Sequence, residues 1–236
     1  MSNFSGQSVT NITLHLIIIN CLMLGATSLL EKNGLDLNNV LGLHYYGSSQ
    51  FHWWQSVTYM FMHGNLTHLF NNMFSLYMFG RLLEMVWGEK RFLIYYFVTG
   101  IGAAIVQQLA WRFDMVDMIA QYSTHPDEVA LFSYAEAIQI PGADALIDSL
   151  VTVGASGAVF GILLAFGMLF PDARLMLLFP PIPLKAKWLV IGYGLFELFA
   201  GVWGVETGVA HFAHLGGMLF GFILIRLWRN HRNYSF

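Results

Sequence analysis

Gly154-Ala155-Ser156-Gly157 places a serine among small residues near the start of an apolar run, Val151 to Phe170. A serine hydroxyl attacks a carbonyl only when a base takes its proton, and histidine is the usual base near neutral pH. His214 stands in a second apolar run, followed by Gly217 and Gly221. A third run carries His68 and Asn72, four residues apart and therefore on one helical face. Donors of this kind, together with a backbone N–H, suit the oxyanion of a tetrahedral intermediate, where each is worth about 3 kcal/mol. Taken singly these residues say little. A lone serine in an apolar helix ordinarily packs, and one G-x-x-x-G is common. A nucleophile, a base and oxyanion donors in three separate apolar runs, all near their outer ends, point instead to nucleophilic catalysis at membrane depth, where ionisable side chains are costly.

The elements that must position these groups follow from composition. The 236 residues are 56% hydrophobic and only 11% charged, whereas soluble domains carry about 25% charged residues. Six runs, near 12–30, 66–86, 91–111, 151–170, 188–204 and 209–228, approach the roughly 20 residues needed to span the hydrocarbon core. The expected fold is an all-α polytopic membrane protein, a single bundle of six helices over 1–236. Lys and Arg divide nine to two between the sides this topology defines; only Lys32 and Arg112 fall outside. The bias places both termini in the cytoplasm. A bacterial plasma membrane is the expected location. Met1 to Asn11 has no charged side chain and no cleavage motif follows, so the first run reads as a retained helix. The formal charge of −3 and the lack of a basic patch argue against a nucleic-acid partner. A single cysteine, Cys21, excludes an internal disulfide and is expected to pack within its span.

Two external segments connect the spans. The first, 31–62, is rich in aromatic residues, among them Tyr45, Tyr46, Trp53, Trp54 and Tyr59. Such side chains favour the membrane–water boundary, so this loop is expected to be partly embedded. The second, 112–149, has seven acids against Arg112 alone and reads as a solvated cap without chemistry. A surface helix is expected over 128–138, ended by Pro141-Gly142.

Spacing supports convergence of the reactive groups. Ser156 and Phe160 share a face, which would bring Phe160 against the His214 imidazole. Gly157/Gly161 and Gly217/Gly221 repeat at four residues, a device that lets membrane helices approach closely. Gly100 and Gly102 offer similar packing in the third span, where Gln107 and Gln108 are expected to pair with a neighbouring span.

On these motifs the chain resembles the rhomboid family of intramembrane serine proteases. The motifs are Gly154-Ala155-Ser156-Gly157, the run His63…His68…Asn72, and Ala210-His211-Phe212-Ala213-His214-Leu215-Gly216-Gly217 continuing to Gly221. The resemblance implies a six-helix rhomboid bundle with a membrane-embedded external loop between helices 1 and 2. It also implies a dyad of Ser156 as nucleophile and His214 as base, with His68, Asn72 and the Ser156 backbone N–H as oxyanion hole. Gly154, Gly157, Gly217 and Gly221 would pack the helices, and Phe160 would position the base. Substrates would be transmembrane segments of membrane proteins, cut without a cofactor or metal. Glu84 matches an inner-loop acid, read as structural.

Three features depart from the family pattern: Trp54-Gln55 stands where Trp-Arg is usual, Phe160 replaces a frequent tyrosine, and 112–149 is long. Glu197, at depth in the fifth span, is read as a hydrogen-bonded packing residue rather than a third catalytic member. A metal or haem site using His52, His63, His68, His211 and His214 is the main alternative, but HExxH is absent and no paired carboxylates accompany the histidines. A non-catalytic relative would lack the serine or the histidine. A transporter would show paired broken helices.

Overall fold

The computed structural model describes residues 11–176, 183–203 and 210–230. Pro180 to Ile182, Glu206, the expected start of the last span at Val209 and the basic residue Arg232 lie outside these residues.

Helix α1, Ile12–Glu31, begins on a cap borrowed from far along the chain. Glu84, in α5 (Arg81–Trp87), accepts the Ile12 N–H at 2.7 Å, the Thr13 N–H at 3.0 Å and the Thr13 hydroxyl at 2.6 Å. The first N–H groups of a helix lack partners within it, and a carboxylate there also complements the helix dipole. Glu84 is thus structural, as its motif implied. Only a narrow stripe of α1 is buried, at Thr13, Leu16, Asn20 and Thr27. Cys21 falls beside that stripe and is exposed, which corrects the expectation that it packs.

The second span is α4, Leu66–Ser75, a widened π-helical turn over Leu76–Gly80, and then α5. Asn65 caps α4 by accepting the His68 N–H at 2.8 Å. Gly88, at φ +75°, turns the chain into α6, Glu89–Tyr122.

Helix α6 runs on from the expected end at 111 to Tyr122 because its apolar periodicity continues. Met115, Ile119 and Ala120 bury against Tyr45, Val129, Ala137, Ala143 and Ile147. Three short helices close this second small core: α7 (Pro126–Val129), α8 (Tyr134–Ala137) and α9 (Ala143–Ser149). The helix expected over 128–138 is broken in two. Ser133 restarts it through a capping box with Glu136. The acidic segment is therefore a folded cap with its own apolar interior.

The first external loop is built from α2 (Leu37–Leu41), β1 (Leu43–His44), α3 (Gln55–Thr58) and a 3-10 turn over Tyr59–Phe61. Gln55 is fully buried. Its Oε1 accepts from the His52 N–H at 3.1 Å and the His44 N–H at 3.4 Å, while Nε2 donates to Gln50 O at 3.0 Å and Val40 O at 3.3 Å. The amide, both donor and acceptor, satisfies the loop backbone at the position where the resemblance leads one to expect arginine. Gln108 also serves this loop rather than a neighbouring span, donating to His44 O at 2.6 Å and accepting the Tyr46 N–H at 2.9 Å.

The remaining elements are β2 (Val151–Thr152), α10 (Ser156–Leu169), β3 (Arg174–Met176), β4 (Pro183–Lys185), α11 (Ala186–Val202) and α12 (His211–Asn230). Antiparallel β1 and β2 form one two-stranded ladder, β3 and β4 another. Helices α6, α10 and α12 make the inner packing unit, with α11 against α12 and α10. Outward faces are apolar: Leu14, Ile18 and Leu22 on α1, Phe70 and Phe74 on α4, Ile191, Leu195 and Phe199 on α11. Such a surface is unfavourable in water and suits lipid. Ile12–Glu31, Glu89–Tyr122 and His211–Arg229 are each long and apolar enough to cross a bilayer; Ser156–Leu169 is apolar but shorter. The protein is an all-α integral membrane bundle.

Candidate active site

Ser156 is the first residue of α10. The chain reaches it from β2, where Thr152 pairs with Leu43 and Val151 with His44. This pairing is why the fourth helix begins at Ser156 rather than at 151. Gly154 then adopts φ +132°, a region that favours glycine, and donates its N–H to Tyr59 O at 2.9 Å. A side chain at Gly154 would also meet the His68 ring, 2.8 Å from where its Cβ would lie. Tyr59 is itself fixed by its hydroxyl, which donates to Gly100 O at 2.7 Å.

The Ser156 hydroxyl lies 2.8 Å from Nε2 of His214, on the first turn of α12. Phe160 stacks on the His214 ring, with centroids 4.1 Å apart and planes 7° from parallel. The stacking therefore needs the ring of Phe160 and not a hydroxyl. Tyr193 of α11 meets the same phenyl edge-on at 6.1 Å.

Close helix approach makes the Ser–His contact possible. A Cβ at Gly217 would collide with the Gly157 carbonyl, so α10 and α12 touch backbone to backbone there. The other small residues turn elsewhere. Gly157 faces Ala103, Gly161 faces Thr99 and Gly221 faces the Tyr95 hydroxyl, all on α6. The repeated glycines thus seat a three-helix contact rather than a single pair.

His68 lies beside this corner, its ring edge-on to His63 with centroids 5.0 Å apart. Asn72 is buried one turn further along α4 and donates from Nδ2 to His68 O at 3.1 Å. The Ser156 N–H belongs to the first turn of α10, where backbone donors have no partner within the helix. Ser156, His214, Phe160, Gly154 and His68 therefore come together. Asn72 stands next to them with its amide turned onto its own helix.

Glu197 of α11 is buried and hydrogen-bonded, as expected, and its neighbours are two histidines of α12. Its Oε2 lies 2.6 Å from Nδ1 of His211 and 3.0 Å from Nδ1 of His214. All three are buried, at 4–6% exposure. The signal in the sequence was a carboxylate within an apolar span, where ionisable groups face the bundle interior. What spacing could not supply was its partner across two helices. Glu197, His211 and His214 also hold atoms of metal-ligand type within 4.8 Å of one another. The other histidines of the metal reading are not in that cluster; His52 stacks on Trp54 at 4.3 Å.

Fold and site together describe an integral membrane bundle with a serine–histidine pair in its interior. The chain belongs to the rhomboid family, since the Rhomboid domain matches residues 50–231. It is similar to Rhomboid-like protein 11, chloroplastic, of Arabidopsis thaliana, with 30% identity over 186 residues, 74% of this chain and 52% of that protein. It is likewise similar to Rhomboid protease AarA of Providencia stuartii, at 27% over 181 residues, covering 73% and 54% of the two chains. RHOMBOID-like protein 6, mitochondrial, of Arabidopsis thaliana matches at 28% over 208 residues, 84% of this chain and 49% of the other. The chain spans about half the length of these curated relatives. The family is known for intramembrane proteolysis.

Proposed function

We propose that this protein is an intramembrane serine endopeptidase that cuts transmembrane segments of membrane proteins with Ser156 and His214. The observation that carries the reading is the 2.8 Å contact between the Ser156 hydroxyl and His214 Nε2. The hydroxyl gives its proton to Nε2 as its oxygen adds to the scissile carbonyl. Nε2 then passes that proton to the leaving amine, which breaks the peptide bond and leaves an acyl ester on Ser156. Water adds to the ester through the same base, and the proton returns to the serine oxygen. The Ser156 N–H, His68 and Asn72 stabilise the oxyanion; for Asn72 this requires its amide to turn from His68 O toward the substrate.

The reaction needs no cofactor. Six crossings, with both termini in the cytoplasm of a bacterial cell, place the site in the outer half of the bilayer. Water reaches it past His63, Asn65 and Thr67, and the exposed Trp53 and Trp54 set the aromatic loop at the boundary. A substrate helix hides its carbonyls in hydrogen bonds, so segments with small or helix-weakening residues unwind beside α11 and are cut preferentially.

The test is cleavage of a labelled transmembrane substrate by purified parent protein, Ser156→Ala and His214→Ala, with and without chelator. Both variants should lose all turnover, and chelator should leave the parent unaffected. Turnover that survives Ser156→Ala refutes the mechanism. A fluorophosphonate reagent reports on Ser156 independently of substrate choice.

A further inference from the structure

The Ser–His contact occupies only one nitrogen of the His214 ring. The other, Nδ1, faces Glu197 Oε2 at 3.0 Å. We propose that Glu197 is a positioning residue for His214, so that the reacting unit is Ser156–His214–Glu197, with His211 fixing the acid. The inference rests on the dyad reading and extends it to α11.

The argument begins with the tautomer. A carboxylate only accepts hydrogen bonds, so each ring nitrogen facing it carries the hydrogen. With hydrogen on Nδ1, neutral His214 has its lone pair on Nε2, where it must be to take the serine proton. When Nε2 receives that proton, the imidazolium lies beside a buried carboxylate. Glu197 stays ionised throughout, and no proton passes to it.

His211 supplies what a lone glutamate would lack. Its Nδ1 donates to the same oxygen at 2.6 Å, holding the carboxylate in place on the bundle side of α11. The His214 contact is less well directed: its Nδ1 lies at ion-pair distance, yet its hydrogen is not aimed at the oxygen. The separation is what counts, because charge stabilisation depends on distance and catalytic bonds commonly straighten only once substrate is bound. Among the described residues, the titratable groups that face His214 are Glu197 from α11, His211 on its own helix and His68 from α4.

The test uses the full chain in detergent. One readout is the rate of fluorophosphonate labelling of Ser156 against pH, in the parent, Glu197→Gln and Glu197→Asp. The other is the 15N signal of the His214 ring, assigned by its loss in His214→Ala. Glu197→Gln should slow labelling at neutral pH by about a hundredfold. It should also move the acidic limb of the profile to lower pH, because a neutral amide no longer favours the imidazolium. Glu197→Asp should keep the limb near the parent position. A limb that does not move in Glu197→Gln, whatever the loss of rate, overturns the proposal and leaves Glu197 as packing for His211. Should Glu197→Gln not fold, the parent spectrum decides: hydrogen on Nδ1 of neutral His214 supports the assignment, and hydrogen on Nε2 overturns it. Labelling abolished by chelator and restored by zinc also overturns it, making the cluster a metal site. Failure of the dyad itself reads differently, as cleavage retained by Ser156→Ala.

Discussion

Under the proposed mechanism Asn72 has to change its hydrogen bond to act. Its amide donates to His68 O, one turn back on α4, which satisfies a buried donor. Turning toward a tetrahedral intermediate exchanges that bond for one to a charged oxygen. Asn72→Ala should therefore lower kcat by about 100- to 1,000-fold with little change in KM, as loss of an oxyanion donor does. Steady-state cleavage of a transmembrane substrate measures this, and an unchanged kcat removes Asn72 from the oxyanion hole. At this scale the sequence was most informative about residue types. Spacing in 156–160 anticipated the stacking of Phe160 on His214, and Gly217 meets Gly157 as the repeats suggested. The sequence marked Glu197 as a hydrogen-bonded residue at depth but could not supply its histidine partners, which are fourteen and seventeen positions away and join it only when α11 packs on α12.

Between elements, the contact that matters most has no side chain. Gly217 abuts the carbonyl of Gly157, and any larger residue must push α12 from α10. Gly217→Val should cost about 3 kcal/mol through overpacking. It should also slow fluorophosphonate labelling out of proportion to the lost stability, because the 2.8 Å Ser156–His214 contact spans the same interface. Thermal unfolding and labelling at a temperature where the variant is folded separate the two effects; labelling at the parental rate would show that the interface tolerates the shift. Glycine repeats are visible in a sequence, but the neighbour each one admits is not. Gly161 and Gly221 receive Thr99 and Tyr95 from α6, a helix that the four-residue repeats on α10 and α12 gave no reason to choose. Element ends were harder still. Helix α6 continues to Tyr122 because Met115 and Ile119 find a second core, and that core exists only once Tyr45 arrives from the first external loop.

For the whole molecule, the acidic cap and the helical bundle are tied together rather than merely adjacent. Asp148 at the end of α9 accepts the Ser48 hydroxyl at 2.7 Å, the Ser49 hydroxyl at 2.8 Å and the Ser49 N–H at 2.9 Å. The Ser48 hydroxyl, with Ser49 beside it, holds the Asp148 carboxyl below the usual carboxylate range. A carboxyl lowered in the folded state stabilises that state above its unfolded pKa of about 3.9 and loses the contribution as pH falls through the lowered folded value. Asp148→Asn should therefore cost about 1 kcal/mol at pH 7, given its partial exposure, and the gap from the parent should close below pH 4. Melting temperatures across that range check the sign; a gap that widens in acid would contradict it. The cap was legible in sequence only as an excess of charge, since the acids face outward and the apolar residues that fold it are dispersed among them. Its connection continues inward: Ser48 and Ser49 follow β1, and β1 pairs with the two residues that lead to Gly154 and Ser156. If the proposed mechanism holds, an antibody fragment gripping the cap would consequently slow acylation from the aqueous side, as a brake applied through the frame and not a plug among the lipid-facing helices.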